Sequence, residues 1–108
     1  MFSEDILHKY RLAGRIASEA RNSAKQFVKP ETPIIDICES VEKLIKDKGG
    51  SCAFPCNVCI NDVAAHYTSP PQDTKVVQPD SIVKVDIGVH IDGYIADTAT
   101  TICLDKRY

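Results

Sequence analysis

Two aspartates, Asp86 and Asp97, stand among apolar and β-branched residues in the stretch Lys84–Ile102. The dipeptide Asp92-Gly93 between them is a strong hairpin signal, because both central positions of a two-residue turn require positive φ. Val, Ile, Thr and Tyr on either side are typical of paired strands. The stretch therefore predicts an antiparallel hairpin that carries two carboxylates.

Counting outwards from a two-residue turn gives the register of this hairpin. Gly88 then faces Asp97, and Asp86 faces Ala99. The two aspartates become diagonal neighbours on one face of the sheet, about 7–8 Å apart at the backbone. The opposite face carries the residues that can be buried in a core: Val83, Val85, Ile87, Val89 and Ile91.

Paired carboxylates inside apolar strands are candidate ligands for divalent cations. Buried without a partner, they would be disfavoured by desolvation, and a cation removes that penalty. Two diagonal carboxylates suit a pair of ions about 3.5–4 Å apart. The small residues Gly88, Ala96 and Ala99 favour a closely approached site. The alternative is that both aspartates face solvent or pair with Lys or Arg.

His66 is a further candidate, because it stands just before the segment Thr68–Asp73, which is a loop by composition. A single histidine is more often structural than catalytic. However, loops beside a rigid hairpin are a frequent source of substrate contacts. Phe54, taken alone, is most simply a core aromatic residue.

Length and composition indicate a single domain over residues 1–108 with a modest core. The net charge of −2 gives no indication of nucleic-acid binding. The first residues lack the basic and apolar regions of a signal peptide, and no apolar run approaches the length of a membrane span. We therefore expect a soluble, cytoplasmic protein without a membrane partner.

The five cysteines are an odd number, which in a chain without a secretion signal favours reduced thiols. Cys52, Cys56 and Cys59 are spaced closely enough to suggest a structural zinc site, but no second close pair accompanies them. The competing interpretation, buried thiols that behave as small apolar side chains, is the preferred one.

Two amphipathic helices are predicted before the strands. Ser3 can cap a helix that runs to about Val28, and Thr32-Pro33 can start a second one that ends at Gly49-Gly50. The apolar positions of the first helix are Ile6, Tyr10, Ala13, Ile16 or Ala17, Ala20, Ala24 and Phe27, and those of the second are Ile34, Ile37 or Cys38, Val41, and Leu44 or Ile45.

Short strand segments follow the helices at 53–55 and 58–60, before the hairpin. The residues Gln78, Pro79 and Asp80 predict a turn that leads into it. The expected fold class is α+β, with both helices packed on one face of an antiparallel sheet.

The segments FPCNVCINDVAAHYTSP, VDIGVHIDGY and ADTATT resemble methionine aminopeptidases of type II, in the archaeal form without a long N-terminal extension. The AAHYT segment is the part that distinguishes type II from type I. The resemblance covers almost the whole chain. It implies the N-terminal half of a pita-bread fold, in which two α+β halves surround a dinuclear metal site.

By this resemblance, Asp86 binds one metal through both oxygens and Asp97 bridges the two metals. His66 corresponds to a catalytic, substrate-binding histidine near the scissile amide, and Phe54 lines the pocket for the methionine side chain. The cofactors would be two divalent ions, with Co, Mn, Fe and Zn all compatible with such ligands. The implied reaction removes the initiator methionine from nascent chains, which places the protein close to ribosomes.

The resemblance also implies ligands that this sequence does not contain. One His and two Glu ligands, and a second substrate His, would follow Tyr108, and neither His8 nor His90 is a good substitute. We therefore expect the 108 residues to be an incomplete, inactive half. The alternatives are a proline-specific peptidase of the same fold and a non-catalytic relative that binds ribosomes or RNA. The AAHYT segment opposes the first, and retention of both aspartates opposes the second.

Overall fold

The structure, a computed structural model, describes residues 3–60, 76–77 and 81–104. Two helices precede four strands in this part of the chain. The elements are α1 (Glu4–Phe27), α2 (Ile34–Asp47), β1 (Ser51–Cys52), β2 (Asn57–Ile60), β3 (Ile82–Ile91) and β4 (Tyr94–Cys103).

The strand β3 is the centre of an antiparallel sheet. β4 pairs with it over its whole length, from Ile91 opposite Tyr94 to Ile82 opposite Cys103. β1 and β2 pair in succession with its other edge, at opposite ends of the strand. The turn residues Asp92 and Gly93 have φ of 51° and 88°. The predicted two-residue hairpin and its register are therefore confirmed.

Helix α1 begins as predicted, with the Ser3 hydroxyl accepting a hydrogen bond from the backbone N–H of Ile6 at 3.2 Å. Its buried face consists of Ala13, Ile16, Ala17, Ala20 and Ala24. Tyr10, predicted to lie on that face, is instead 37% exposed. Its ring meets that of Tyr94 edge-on at 5.1 Å between centroids, so it packs against the hairpin tip and not in the core.

Helix α2 differs from the prediction at its start and agrees with it at its end. Pro33 is the residue before the first helical one, with ψ of 136°, and it provides no side-chain cap. At the other end Gly49, with φ of 94°, donates to the carbonyl of Lys46, and Gly50 donates to the carbonyl of Ile45. This pair of bonds is the Schellman arrangement, in which glycine accepts the left-handed conformation at low cost.

The core lies between the helices and one face of the sheet. Val83, Val85, Ile87 and Val89 of β3 are fully buried there, as the alternation of the strand predicts. The buried helical residues Ile34, Ile37, Cys38, Val41 and Ile45 of α2 pack in the same cluster as the alanines of α1. The α+β class, with two helices on one face of an antiparallel sheet, is confirmed.

One predicted strand segment is wrong, because residues 53–55 lie outside the strands, with bends at Ala53 and Phe54. One further hydrogen bond extends the pairing of β1 with β3: the N–H of Ala53 donates to the carbonyl of Gly88 at 2.9 Å. The chain then leaves the sheet edge and returns to it as β2. The predictions for His66, the loop 68–73 and the turn 78–80 concern residues outside the described ranges.

Candidate functional site

Asp86 and Asp97 lie on the sheet face that points away from both helices. The ladder places Gly88 opposite Asp97 and Asp86 opposite Ala99. Side chains alternate along each strand, so the two aspartates share this face and are diagonal neighbours. The geometry predicted from the hairpin register is the geometry of the structure.

The two carboxylates border one depression on the surface of the sheet. It has a volume of about 410 Å³ and is lined by Phe54, Asn57, Lys84, Asp86 and Asp97. These residues come from three different places in the chain, the bend after β1, the start of β2 and the hairpin. They meet because β1 and β2 occupy the same edge of β3.

The two aspartates differ in their surroundings. The Asp86 side chain is only 16% exposed, and its Oδ1 lies 3.7 Å from Nζ of Lys84, which is itself 52% exposed. Asp97 is exposed. The contact is long, and the half-exposed ammonium group of Lys84 sits on a flexible stem that can turn towards solvent, so Lys84 does not prevent Asp86 from binding a cation.

The small residues near the aspartates have separate roles. Gly88 lies beneath the ring of Phe54, and a Cβ added there would come within 2.2 Å of Cε1 of that ring. Ala99 faces Asp86 on the sheet face that points away from both helices. Ala96 faces Val89 and packs against the core, so its predicted contribution to the site is wrong. Alternation of side chains sends Ala96 to the helix side of the sheet.

The chemistry of these donors fits part of a site for divalent cations. Two carboxylates on adjacent strands supply the hard oxygen ligands that such ions bind. Among residues 3–60, 76–77 and 81–104, no three His, Cys, Asp or Glu side chains converge into a larger ligand group. His90, on the same face, has its Nδ1 occupied by the N–H of Gly93 at 3.1 Å, near the hairpin tip.

The cysteines do not form the zinc site considered from their spacing. None of the five forms a disulfide. Cys38 and Cys56 are buried together, with the Cys38 thiol donating to the carbonyl of Cys56 at 3.5 Å. Contact with the Cys38 thiol and burial raise the pKa of Cys56, and burial and the nearby Glu42 carboxylate raise the pKa of Cys52. Both shifts favour the protonated thiol, which behaves as a small apolar side chain and not as a metal ligand.

The sequence matches the model of metallopeptidase family M24 over residues 8–108. The chain belongs to this family. It is 47% identical over 106 residues to a methionine aminopeptidase of Saccharolobus solfataricus, covering 98% of this chain and 35% of that protein. It is 44% identical over 99 residues to a methionine aminopeptidase of Methanothermus fervidus, covering 92% of this chain and 53% of that one.

Solved structures of the family share the fold. The methionine aminopeptidase of Thermotoga maritima superposes with a TM-score of 0.85 at 22% identity, over 96% of this chain and 44% of that one. A thermophilic Arx1 superposes with a TM-score of 0.84 at 25% identity, over 100% of this chain and 32% of the Arx1 chain. The described helices and sheet are thus part of a pita-bread fold, and the chain spans a third to a half of the length of its curated relatives.

Two residues of the site were not identified from the sequence. Asn57 faces Asp86 across the β2–β3 ladder and lines the depression. Lys84 lies two residues before Asp86 and therefore on the same face. The signal that could have found Asn57 is its pairing with β3, which local sequence does not reveal. Within the described ranges, no helix is long and apolar enough to cross a membrane.

Proposed function

We propose that the complete protein is a methionine aminopeptidase, which removes the N-terminal methionine from polypeptides by metal-dependent hydrolysis. The observation that carries this proposal is the diagonal pairing of Asp86 and Asp97 on the open face of the hairpin, bordered by Phe54. The similarity to archaeal methionine aminopeptidases at 44–51% identity supports the same substrate class.

In this proposal Asp86 and Asp97 hold two divalent cations, Co, Mn, Fe or Zn. When bound, such ions polarise the peptide carbonyl and lower the pKa of water. Asp97 would supply an exposed carboxylate, on the residue that pairs with Gly88, and Asp86 would supply a more enclosed one that lies beside Lys84. The two strands are rigidly paired, which fixes the separation of the carboxylates.

The remaining groups of the chain act on the substrate. Phe54 offers an apolar surface beside the carboxylates, suited to an unbranched thioether side chain. His66 is proposed to contact the scissile amide and to donate or accept a proton there. Further metal ligands are proposed to come from the part of the complete protein that corresponds to the rest of its relatives. Cytoplasmic location and proximity to ribosomes stay predictions.

The test is cleavage of a Met-Ala-Ser peptide by the complete, metal-loaded protein, compared with a peptide of the same length that has proline in second position. We expect release of methionine from the first and little cleavage of the second. Preferential cleavage before proline would reassign the protein to the proline-specific peptidases. Absence of hydrolysis of either peptide, with metal bound, would favour a non-catalytic relative.

A further inference from the structure

Gly88 occupies a position where glycine is unfavourable for the strand itself. It is buried in the middle of β3, between Ile87 and Val89, with partners on both edges. Glycine in a strand interior costs about 0.5–1 kcal/mol relative to alanine, because it loses more backbone entropy on folding. A compensating reason for its presence is expected at this position.

Backbone conformation is not that reason. Among the described glycines, only Gly49 and Gly93 have positive φ. Gly88 has the extended conformation of its strand, which any residue can adopt. What distinguishes it is the space above its Cα.

That space is filled by the ring of Phe54. A Cβ at position 88 would lie 2.2 Å from Cε1, 2.6 Å from Cδ1 and 2.8 Å from Cζ of this ring. By contrast, a Cβ at Gly14 or Gly93 would meet no atom within 4 Å. The ring therefore packs directly against Gly88 of β3, the residue that pairs with Asp97.

We propose that Gly88 is a positioning residue that sets the location of the Phe54 ring, and thereby the width of the pocket for the first side chain of the substrate. This inference rests on the proposed function. The ring can approach the carboxylates closely only because position 88 has no side chain. The methyl group of an alanine would push the ring about 1 Å or more away from the strand to restore ordinary contact distances.

Phe54 also borders a second groove. This groove has a volume of about 640 Å³, and Cys52 and residues of α2 line it together with Phe54. A ring pushed off the strand would no longer hold its place in the wall of the pocket. The aspartates would keep their places, because their strand pairing does not depend on Phe54.

The experiment uses the complete protein with three variants: Gly88→Ala, Phe54→Ala and the double variant. Gly88→Ala alone should raise KM for a Met-Ala-Ser peptide by about 10-fold or more with little change in kcat, as expected for a lost apolar contact. In the Phe54→Ala background, the same Gly88→Ala change should alter KM by less than a factor of two. Equal effects of Gly88→Ala in both backgrounds would overturn the proposal.

Two further measurements separate this inference from the proposed function. Metal content should be unchanged in all variants, and a loss of metal in Gly88→Ala would mean that the substitution acts through Asp97.

The effects on the free energy of unfolding, measured for the unmodified protein and the three variants, should also be non-additive. Phe54→Ala should relieve the cost of Gly88→Ala. Non-additive stability without any effect on KM would confirm the contact but refute its role in the pocket. Gly14→Ala, an exchange into open space, is the matched control and should leave KM unchanged.

Discussion

Asp86 and Asp97 are diagonal neighbours across the β3–β4 ladder, on the face opposite both helices. A tight two-residue turn at Asp92-Gly93 sets this relationship, because any change of register by one residue would send one carboxylate into the core. On the other face of β3, the side chains from Val83 to Val89 are fully buried and Ile91 is half-buried, which makes such a shift costly. The site thus depends on the same packing that stabilises the fold.

The first prediction concerns the two carboxylates. Asp97→Asn in the complete protein should abolish metal-dependent activity, because an amide is a much weaker ligand for a hard cation than a carboxylate. Metal content measured by elemental analysis should fall below two ions per chain. Asp92→Asn is the matched control, since Asp92 is an exposed turn residue with positive φ that asparagine also accepts. Retained activity with two tightly bound ions in Asp97→Asn would refute the assignment.

The second prediction concerns His66. His66→Ala should lower turnover by about 10²–10⁴-fold, the usual effect of losing a general acid–base contact, while metal content survives. His8→Ala, on the exposed side of α1, is the control and should behave as the unmodified protein. If His66→Ala loses its metal together with its activity, the histidine is a ligand.

The third prediction concerns the 108 residues taken alone. Two carboxylates leave most coordination positions to water, so metal affinity should be weak and cleavage of Met-Ala-Ser should not exceed background with added Co or Mn. The sheet face that points away from the helices has no second half of the fold to cover it and carries Ile95, which is 55% exposed, so we expect self-association. Sedimentation and a methionine-release assay test both statements. Metal-dependent release of methionine by the isolated chain would contradict the half-site interpretation.

The fourth prediction compares two glycines of the helices. Gly49→Ala should destabilise the protein by about 1 kcal/mol, because alanine is strained at the φ of 94° that the end of α2 requires. Gly14→Ala should stabilise it by about 0.5–1 kcal/mol, since Gly14 lies within α1 with free space around its Cα. Urea unfolding measures both. Equal effects of the two exchanges would mean that the end of α2 differs from the structure.

The fifth prediction concerns the alkaline limit of stability. Contact with Cys38 and burial raise the pKa of Cys56 above its ordinary value of 9.0, so the folded protein holds this proton more tightly than the unfolded chain. The resulting stabilisation is fully present below pH 9 and is lost as the pH rises further. The urea concentration at the unfolding midpoint should fall as the pH is raised from 7 to 10.5. The fall should be smaller in Cys56→Ala than in the unmodified protein. An equal fall in Cys56→Ala and in the unmodified protein would contradict the prediction.

Much of the fold follows from local sequence patterns. The spacing of alanines and isoleucines determines the buried faces of α1 and α2, and Asp92-Gly93 determines the hairpin and its register. These features are local, because a helix repeats every 3.6 residues, a strand every two, and a two-residue turn allows few conformations. The diagonal placement of Asp86 and Asp97 follows from the hairpin register, which is one of these local features, and so could be predicted.

Other features were decided only by tertiary structure. Asn57 joins the site because β2 adds to the edge of β3, a pairing of residues 29 positions apart that no local pattern encodes. Residues 53–55 lie outside the strands despite their strand-like composition, and the ring of Phe54 packs onto Gly88. That contact joins two segments through shape alone, and shape complementarity depends on the three-dimensional positions of atoms that sequence periodicity does not specify.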